Sequence, residues 1–500
     1  MLYTQSMPKK TKRKFPLSKL ELLVAINGGA ILVLEIIGSR VMAPFFGTSI
    51  YVWTAIIGVI LFSLSIGYWY GGKLADKHAS LRGLAIILLL AALLLSLELL
   101  LLPSVLEFFA TSGLPLRASA LFSALFIYTV PTSIMGLVSP YISKLAITDL
   151  KSTGVTVGRL FASGTIGSII GTFLAGYWLT GAFSNEAINA SIVVIFVLMA
   201  IYTDKSILKQ NLFLSLAIVS LMLAYLVTKP ANQQYVIYQQ DTPYARYQVA
   251  ERLYKGEPAR LLLTDRLTIQ SAEYLEDNGT PALTYLEQFT KTTKMFSESH
   301  DIDRVLVVGG GAYSLPKYLQ DNFPDTSIDV AEIDGALLAI AEDYFGYEPT
   351  DKMTNFAQDG RILLNDTEKK YDIVYLDAFS SSQPPFQLST IESFQEVYRV
   401  LNPNGLVVVN VIGSENGERS AYTAALKRTI DSVFAQSTAK ATKDDKNTLQ
   451  NIIFIAEKTS DNATSISAID YGLDELTSTS HDPNGIVFTD SFSPVDRLIQ

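Results

Sequence analysis

Cysteine is absent from all 500 residues. That excludes disulfides, thiolate catalysis and cysteine-ligated metals, and leaves the redox compartment open. Histidine is nearly absent: only His78, His300 and His481 occur, far apart, so neither a histidine metal cluster nor a Ser-His-Asp triad is supported. Basic residues are also in deficit. Lys and Arg number 39 against 48 Asp and Glu, and the net charge of -9 argues against nucleic acid as a bulk partner. What abounds is apolar surface: 49% of residues are hydrophobic and the mean hydropathy is +0.27. It is concentrated before residue 230, so the average hides two unlike halves, and the length itself suggests two or more domains.

The first half reads as a multi-helix transmembrane domain. Residues 1–19 form a basic tail with Lys9, Lys10, Lys12, Arg13, Lys14 and Lys19. The apolar stretch that follows is too long for a signal-peptide core, and others come after it, so no cleaved leader is expected. Between residues 20 and 229 seven apolar stretches occur, near 20–38, 51–72, 84–106, 119–147, 159–181, 187–203 and 211–228. Most approach the roughly 20 residues that span a bilayer as a helix. Gly158, Gly164, Gly167, Gly171 and Gly176 thread the fifth stretch at spacings that suit close helix packing. Tyr51, Trp53, Tyr68, Trp69, Tyr70, Tyr177 and Trp178 sit near stretch ends, as interfacial anchors do. Glu35 lies inside the first stretch, where a structural pair with Arg40 is expected, and Glu98 inside the third. Lys73, Lys77, Arg82, Lys144, Lys151, Arg159, Lys205 and Lys209 mark cytoplasmic loops. Seven spans would then put residues 230–500 outside the cell. Pro131 and Pro140 make the fourth stretch the least regular, and a re-entrant or double passage there would return the soluble part to the cytoplasm, the side expected here.

The second half alternates strands and helices. Residues 230–300 hold short strands, near 235–238, 245–252, 260–263 and 268–272, and read as a small β-rich subdomain before a helix at 283–296. Residues 301–500 read as a largely parallel, doubly wound sheet. Its opening stretch, 304–334, runs from the buried strand at 305–308 through Gly309, Gly310 and Gly311 to a helix and a strand ending in Glu332 and Asp334. Three glycines allow a tight turn and close ligand approach. An acid about 20 positions later suits a ribose. The dinucleotide spacing G-x-G-x-x-G is not met, and an ordinary strand-to-helix turn with solvated acids is the competing reading. Asp359 and Asp377 close two further strands, and 402–405 reads as a turn before a strand at 406–412. Four acids at carboxyl ends of parallel strands line the place where open α/β sheets bind ligands.

VLVVGGG at 305–311, VAEID at 330–334, QDG at 358–360, YDIVYLDAFSS at 371–381 and LNPNGLVVVN at 401–410 together resemble the spermidine synthase family, over about residues 235–500. LEIIGSRVMAPFFGTSIYVWT at 34–54, GYWYGGKLAD at 67–76 and TDSFSPVDRL at 489–498 resemble its membrane-fused members. The resemblance implies a Rossmann-like, methyltransferase-type fold and a polyamine aminopropyltransferase using decarboxylated S-adenosylmethionine, with no metal. It implies that Glu332 binds ribose, Asp359 and Gly360 face the adenine, and Gly309 to Gly311 hold the sulfonium end, with Asp334 and Gln270 beside the donor. Asp377 takes the place of the general base, and Tyr285 and Ser380 contact the acceptor. Two positions depart: Ala312 and Ser380 stand where polyamine-forming members carry acids. Both losses remove negative charge near a diamine, so methyl transfer from S-adenosylmethionine competes. A third reading is a membrane transporter or sensor that binds a nucleoside or polyamine. The expected partners are a small-molecule amine acceptor and the lipid bilayer, with a homodimer as the candidate assembly and nucleic acid excluded.

Overall fold

The computed structural model describes residues 18–47, 49–147, 152–209, 211–228, 235–264, 268–276, 281–378, 385–417, 420–435, 437–459 and 485–498. The chain divides into two compact units, one of Met1–Val41 with Trp53–Pro230 and the other of Met42–Val52 with Ala231–Gln500.

Among the described residues, six helices of the first half are long and apolar enough to cross a membrane: Lys19–Phe46, Ile50–Lys77, Leu81–Ala110, Leu116–Ala146, Thr153–Ala182 and Asn185–Thr203. The seventh stretch forms the 18-residue helix Asn211–Thr228, with Ser96 of the third helix donating to the Ser220 carbonyl at 3.0 Å. Large apolar side chains such as Phe62, Phe126, Phe161, Ile170 and Leu198 stay exposed on the outside of the bundle, as lipid-facing residues do. Gly164, Gly167 and Gly171 lie against the first helix; a Cβ at Gly167 would sit 1.9 Å from the Ala25 carbonyl oxygen. Gly158 and Gly176 face open space. The fourth stretch is neither re-entrant nor double. Leu116–Ala146 is one helix with Pro131 and Pro140 inside it. Thr132 and Ser133, just after Pro131, back-bond to the carbonyls of Tyr128 and Thr129 at 2.5 and 2.7 Å. A broken fourth span therefore gives no support to a cytoplasmic soluble half. Arg40 donates to the Thr180 carbonyl of the fifth helix at 3.4 Å.

The second unit opens with a four-stranded antiparallel meander: β1 (Val236–Asp241), β2 (Arg246–Tyr254), β3 (Glu257–Leu263) and β4 (Ile269–Tyr274). After the helix Thr284–Ser297 comes a seven-stranded sheet. Its strands are β5 (Arg304–Val308), β6 (Ser327–Glu332), β7 (Met353–Ala357), β8 (Tyr371–Leu376), β9 (Leu401–Gly413), β10 (Ser437–Ala441) and β11 (Gln450–Glu457). The order is β10-β11-β9-β8-β5-β6-β7, with β11 antiparallel to both neighbours and the rest parallel. This is the methyltransferase-type Rossmann arrangement. Alternate residues of each strand fill two cores. Val305, Val307, Ile373 and Val408 pack on one face, and Leu306, Val308, Val374 and Val409 on the other. Burial on both faces explains the unbroken apolar runs.

Three details differ from the sequence reading. The turn expected at 402–405 is absorbed into β9: Asn404 takes a left-handed φ of 61°, and its N–H bonds the Lys458 carbonyl at 2.8 Å. The strand expected to run into Asp359 stops at Ala357, and Asp359 caps the following helix, Gly360–Asp366. The β10–β11 hairpin gives the parallel sheet an antiparallel edge that short, weakly alternating segments did not announce.

Candidate functional site

The glycine turn is shaped first by its neighbours in the sheet. Val308 at the end of β5 accepts from the Asp377 N–H at 2.8 Å, which brings the chain after β8 hard against Gly309. A Cβ at Gly309 would lie 2.5 Å from the Asp377 carbonyl oxygen, and its φ of 99° lies in the glycine region. The turn ends in Ala312 and Tyr313, both buried, and the helix Ser314–Asn322. β4 lies over it: the Ala312 N–H donates to Ser271 Oγ at 3.1 Å and Ser314 Oγ to Glu273 Oε1 at 2.8 Å. The small sheet thus forms a wall above the turn.

Glu332 ends β6 directly beside that turn. Its Oε2 accepts from the Gly310 N–H at 2.7 Å and its Oε1 from the Asp334 N–H at 2.9 Å. Burial pushes the carboxyl above its ordinary range, while the backbone N–H groups favour its ionised form. The Gly311 N–H is a further donor to the ionised carboxylate, which is an acceptor-only group suited to hydroxyl donors. Asp334 is placed differently. Its Oδ2 accepts from Thr242 of the small subdomain, its Oδ1 from the Ala336 N–H at 3.1 Å, and it also bonds Tyr247. Those bonds tie the meander to the main sheet, so Asp334 carries a structural load beside the site.

Asp377 follows β8 at the same edge of the sheet. Asn410 Nδ2 on β9 donates to its Oδ1 at 2.8 Å, and the Tyr285 hydroxyl donates to the same carboxylate. Asn451 Nδ2 on β11 donates to Asn410 Oδ1 at 2.9 Å, which orients the Asn410 amide with its N–H groups towards Asp377. Burial lifts the Asp377 carboxyl to about 7, opposed by the bonds from Asn410 and Tyr285. Burial, and then the neighbouring carboxylate, hold the Tyr285 phenol well above its usual range. A carboxyl poised near neutrality can exchange a proton with a bound group. Sequence reasoning quoted Asn410 within a motif but gave it no task, and passed over Asn451. Their function emerges only when β9 and β11 pair.

Gln270 on β4 has a buried Oε1 with no hydrogen-bond partner, an orphan acceptor in the wall above the turn. Asp359 is half-buried and spends one oxygen on the Arg361 N–H at 2.7 Å. Gly360 is required by packing, since a Cβ there would meet Val308 Cγ1 at 2.2 Å. Arg361 in turn bonds Asp490 at 3.1 Å, which seats the segment around Thr489–Phe492 beside this helix start. Ser380 lies outside the described residues.

Several known proteins are similar to parts of this chain. Residues 284–465 match the family model described as "Spermine/spermidine synthase domain". The chain is 35% identical over 150 residues to a probable polyamine aminopropyl transferase of Bifidobacterium longum, an alignment covering 30% of this chain and 32% of that protein. It is 31% identical over 134 residues to the eEF1A lysine and N-terminal methyltransferase of Bos taurus, covering 25% of this chain and 19% of that one. The chain therefore spans about a third of the first relative and a fifth of the second. Among solved structures, a probable spermidine synthase from Corynebacterium glutamicum is 20% identical with a TM-score of 0.40, covering 47% of this chain and 84% of that one. Residues 284–465 of this chain are thus similar to the spermine/spermidine synthase domain.

Proposed function

We propose that the protein is a membrane-anchored transferase that moves an aminopropyl group from decarboxylated S-adenosylmethionine to a small amine. The observation that carries this is the Asp377 carboxyl, lifted to about 7 by burial and held by Asn410 and Tyr285 beside the Gly309–Gly311 turn. In the proposed reaction the acceptor nitrogen attacks the aminopropyl carbon bonded to the sulfonium. The C–S bond breaks, its electron pair neutralises the sulfur, and the proton leaving nitrogen passes to Asp377. Glu332 accepts the ribose hydroxyls, and Gln270 Oε1 accepts a donor hydrogen from the nucleoside. Asp359 and Gly360 flank the adenine, and Tyr285 borders the acceptor. The apolar helices of the first unit support the membrane anchor.

Methyl transfer from S-adenosylmethionine is the second reading. It is favoured by the likeness to the eEF1A methyltransferase and by Ala312, an uncharged residue in the turn. The full chain in lipid nanodiscs, given each donor with a mixture of amines, separates the two. Release of methylthioadenosine from the decarboxylated donor supports aminopropyl transfer. Release of S-adenosylhomocysteine from the intact donor supports methyl transfer. Release of neither, with both donors bound, refutes a transferase.

A further inference from the structure

A half-open cavity of about 610 Å³ lies in the helical unit, between the helices Lys19–Phe46, Ile50–Lys77, Leu116–Ala146 and Thr153–Ala182. At one end stand Asp76 and Lys144, paired at 2.8 Å with exposed side chains. The Glu21–Arg159 pair, at 2.6 Å, sits at the start of the first and fifth helices, which border the same cavity. Inward from there the second helix contributes residues down to Leu64, twelve positions from Asp76, or about 18 Å along a helix. The walls are apolar, with Val24, Ile31, Leu64 and Leu160, and a polar side of Asn27, Ser139, Ser143, Thr165 and Ser168.

Asn27 singles this cavity out as a binding site. It is 1% exposed, in the middle of a helix among apolar neighbours. Its Nδ2 donates to the Met135 carbonyl at 3.3 Å, but its Oδ1 has no partner. A buried acceptor left unpaired is costly, and a bound donor relieves the cost. Charge narrows the class of ligand. Asp76 is the one carboxylate among the described lining residues, and it is already bonded to Lys144, so these walls offer a polycation no net attraction and an anion none either.

We propose that this cavity binds a slender amphiphile of no net charge, with an apolar chain along Val24, Ile31, Leu64 and Leu160 and a hydrogen-bond donor for Asn27 Oδ1. The inference stands apart from the transfer chemistry. Such a molecule comes from the bilayer or from solution, and the two sources are told apart by what co-purifies.

The test uses the full chain in nanodiscs and N-lauroylethanolamine as probe. Saturable binding of one probe per chain is expected. Asn27→Leu should weaken it about tenfold, the scale of one lost hydrogen bond in a buried site. Leu64→Trp, which fills the cavity, should abolish it, whereas Phe62→Trp on the exposed side of the same helix should leave it unchanged. Spermidine and laurate should not compete. Linear partitioning that is the same in wild type and Asn27→Leu overturns the proposal, as does displacement by spermidine. Asn27→Leu keeps the size of the side chain and exchanges its amide for an isopropyl group, losing one bond to the Met135 carbonyl, so the test stands even where Leu64→Trp fails to fold. Native mass spectrometry then assigns the source: a retained lipid displaced by the probe marks the bilayer, and a cavity that fills only on addition marks a soluble amphiphile.

Discussion

A proton acceptor must be unprotonated when the amine arrives, and Asp377 meets that condition only above about pH 7. On the proposed function, kcat/KM should climb through pH 7. The Asn410 N–H favours the ionised carboxylate, so Asn410→Leu should move that limb to higher pH while leaving donor affinity intact; a pH–rate profile of the variant reads this directly. Asp377→Asn should abolish turnover and retain nucleoside binding; unchanged turnover would remove Asp377 from the base role. The same carboxyl affects stability. Its folded pKa lies above the ordinary value of about 4 in an unfolded chain, so folding favours the protonated form. The stability this carboxyl contributes is fully present below about pH 4 and is lost as pH rises through about 7. Asp377→Asn, which cannot ionise, should therefore melt above the wild type at pH 8 and show a smaller gain at pH 4. Glu332→Gln should weaken nucleoside binding by about 1–3 kcal/mol, the worth of a hydrogen bond to a charged group, as calorimetry would record. The acids Glu332, Asp359 and Asp377 were legible as candidates because each closes or follows a strand. Asp334 was legible in the same way, but its bonds to Thr242 and Tyr247 depend on a subdomain some 90 residues earlier in the chain, a contact no local pattern encodes.

Glycines set the geometry at the scale of elements. Gly309 is fixed by the carbonyl of Asp377, and Gly360 by Val308, so both keep neighbouring elements in register before any ligand arrives. Gly309→Ala should cost about 2 kcal/mol or more through strain and contact together, measurable as a lower midpoint in denaturant. Along the first and fifth helices the same logic holds. Gly167→Leu should separate the pair and lower the melting temperature of the chain in detergent, while Gly176→Leu, facing open space, should not. The glycine spacing predicted a packing face. Which glycines lie on it was decided by the rotation of the fifth helix, and only Gly164, Gly167 and Gly171 meet the first. Pro131 and Pro140 illustrate the reverse error: read as breakers, they sit inside a continuous helix whose nearby hydroxyls bond its carbonyls.

Over the whole molecule, two compact units of different composition should unfold separately. Calorimetry of the full chain in detergent should show two transitions. An S-adenosyl nucleoside should raise one of them by mass action, and Gly167→Leu should lower the other. A single transition that responds to both would mean that the units are energetically fused.

The sequence by itself determined the two-part architecture, since apolar runs of membrane length and strands buried on both faces each leave a periodic record in composition. It also determined which strand ends carry acids. Only the tertiary structure decided what those acids do. Asn410 became the partner of Asp377 because β9 lies beside β8. Its amide was oriented because β11 pairs antiparallel with β9. Asn27 became an unpaired acceptor beside a cavity because four helices converge around it. Hydrogen bonds between residues 33 and 41 positions apart, and a cavity shared by four helices, arise from chain crossings that local periodicity does not contain.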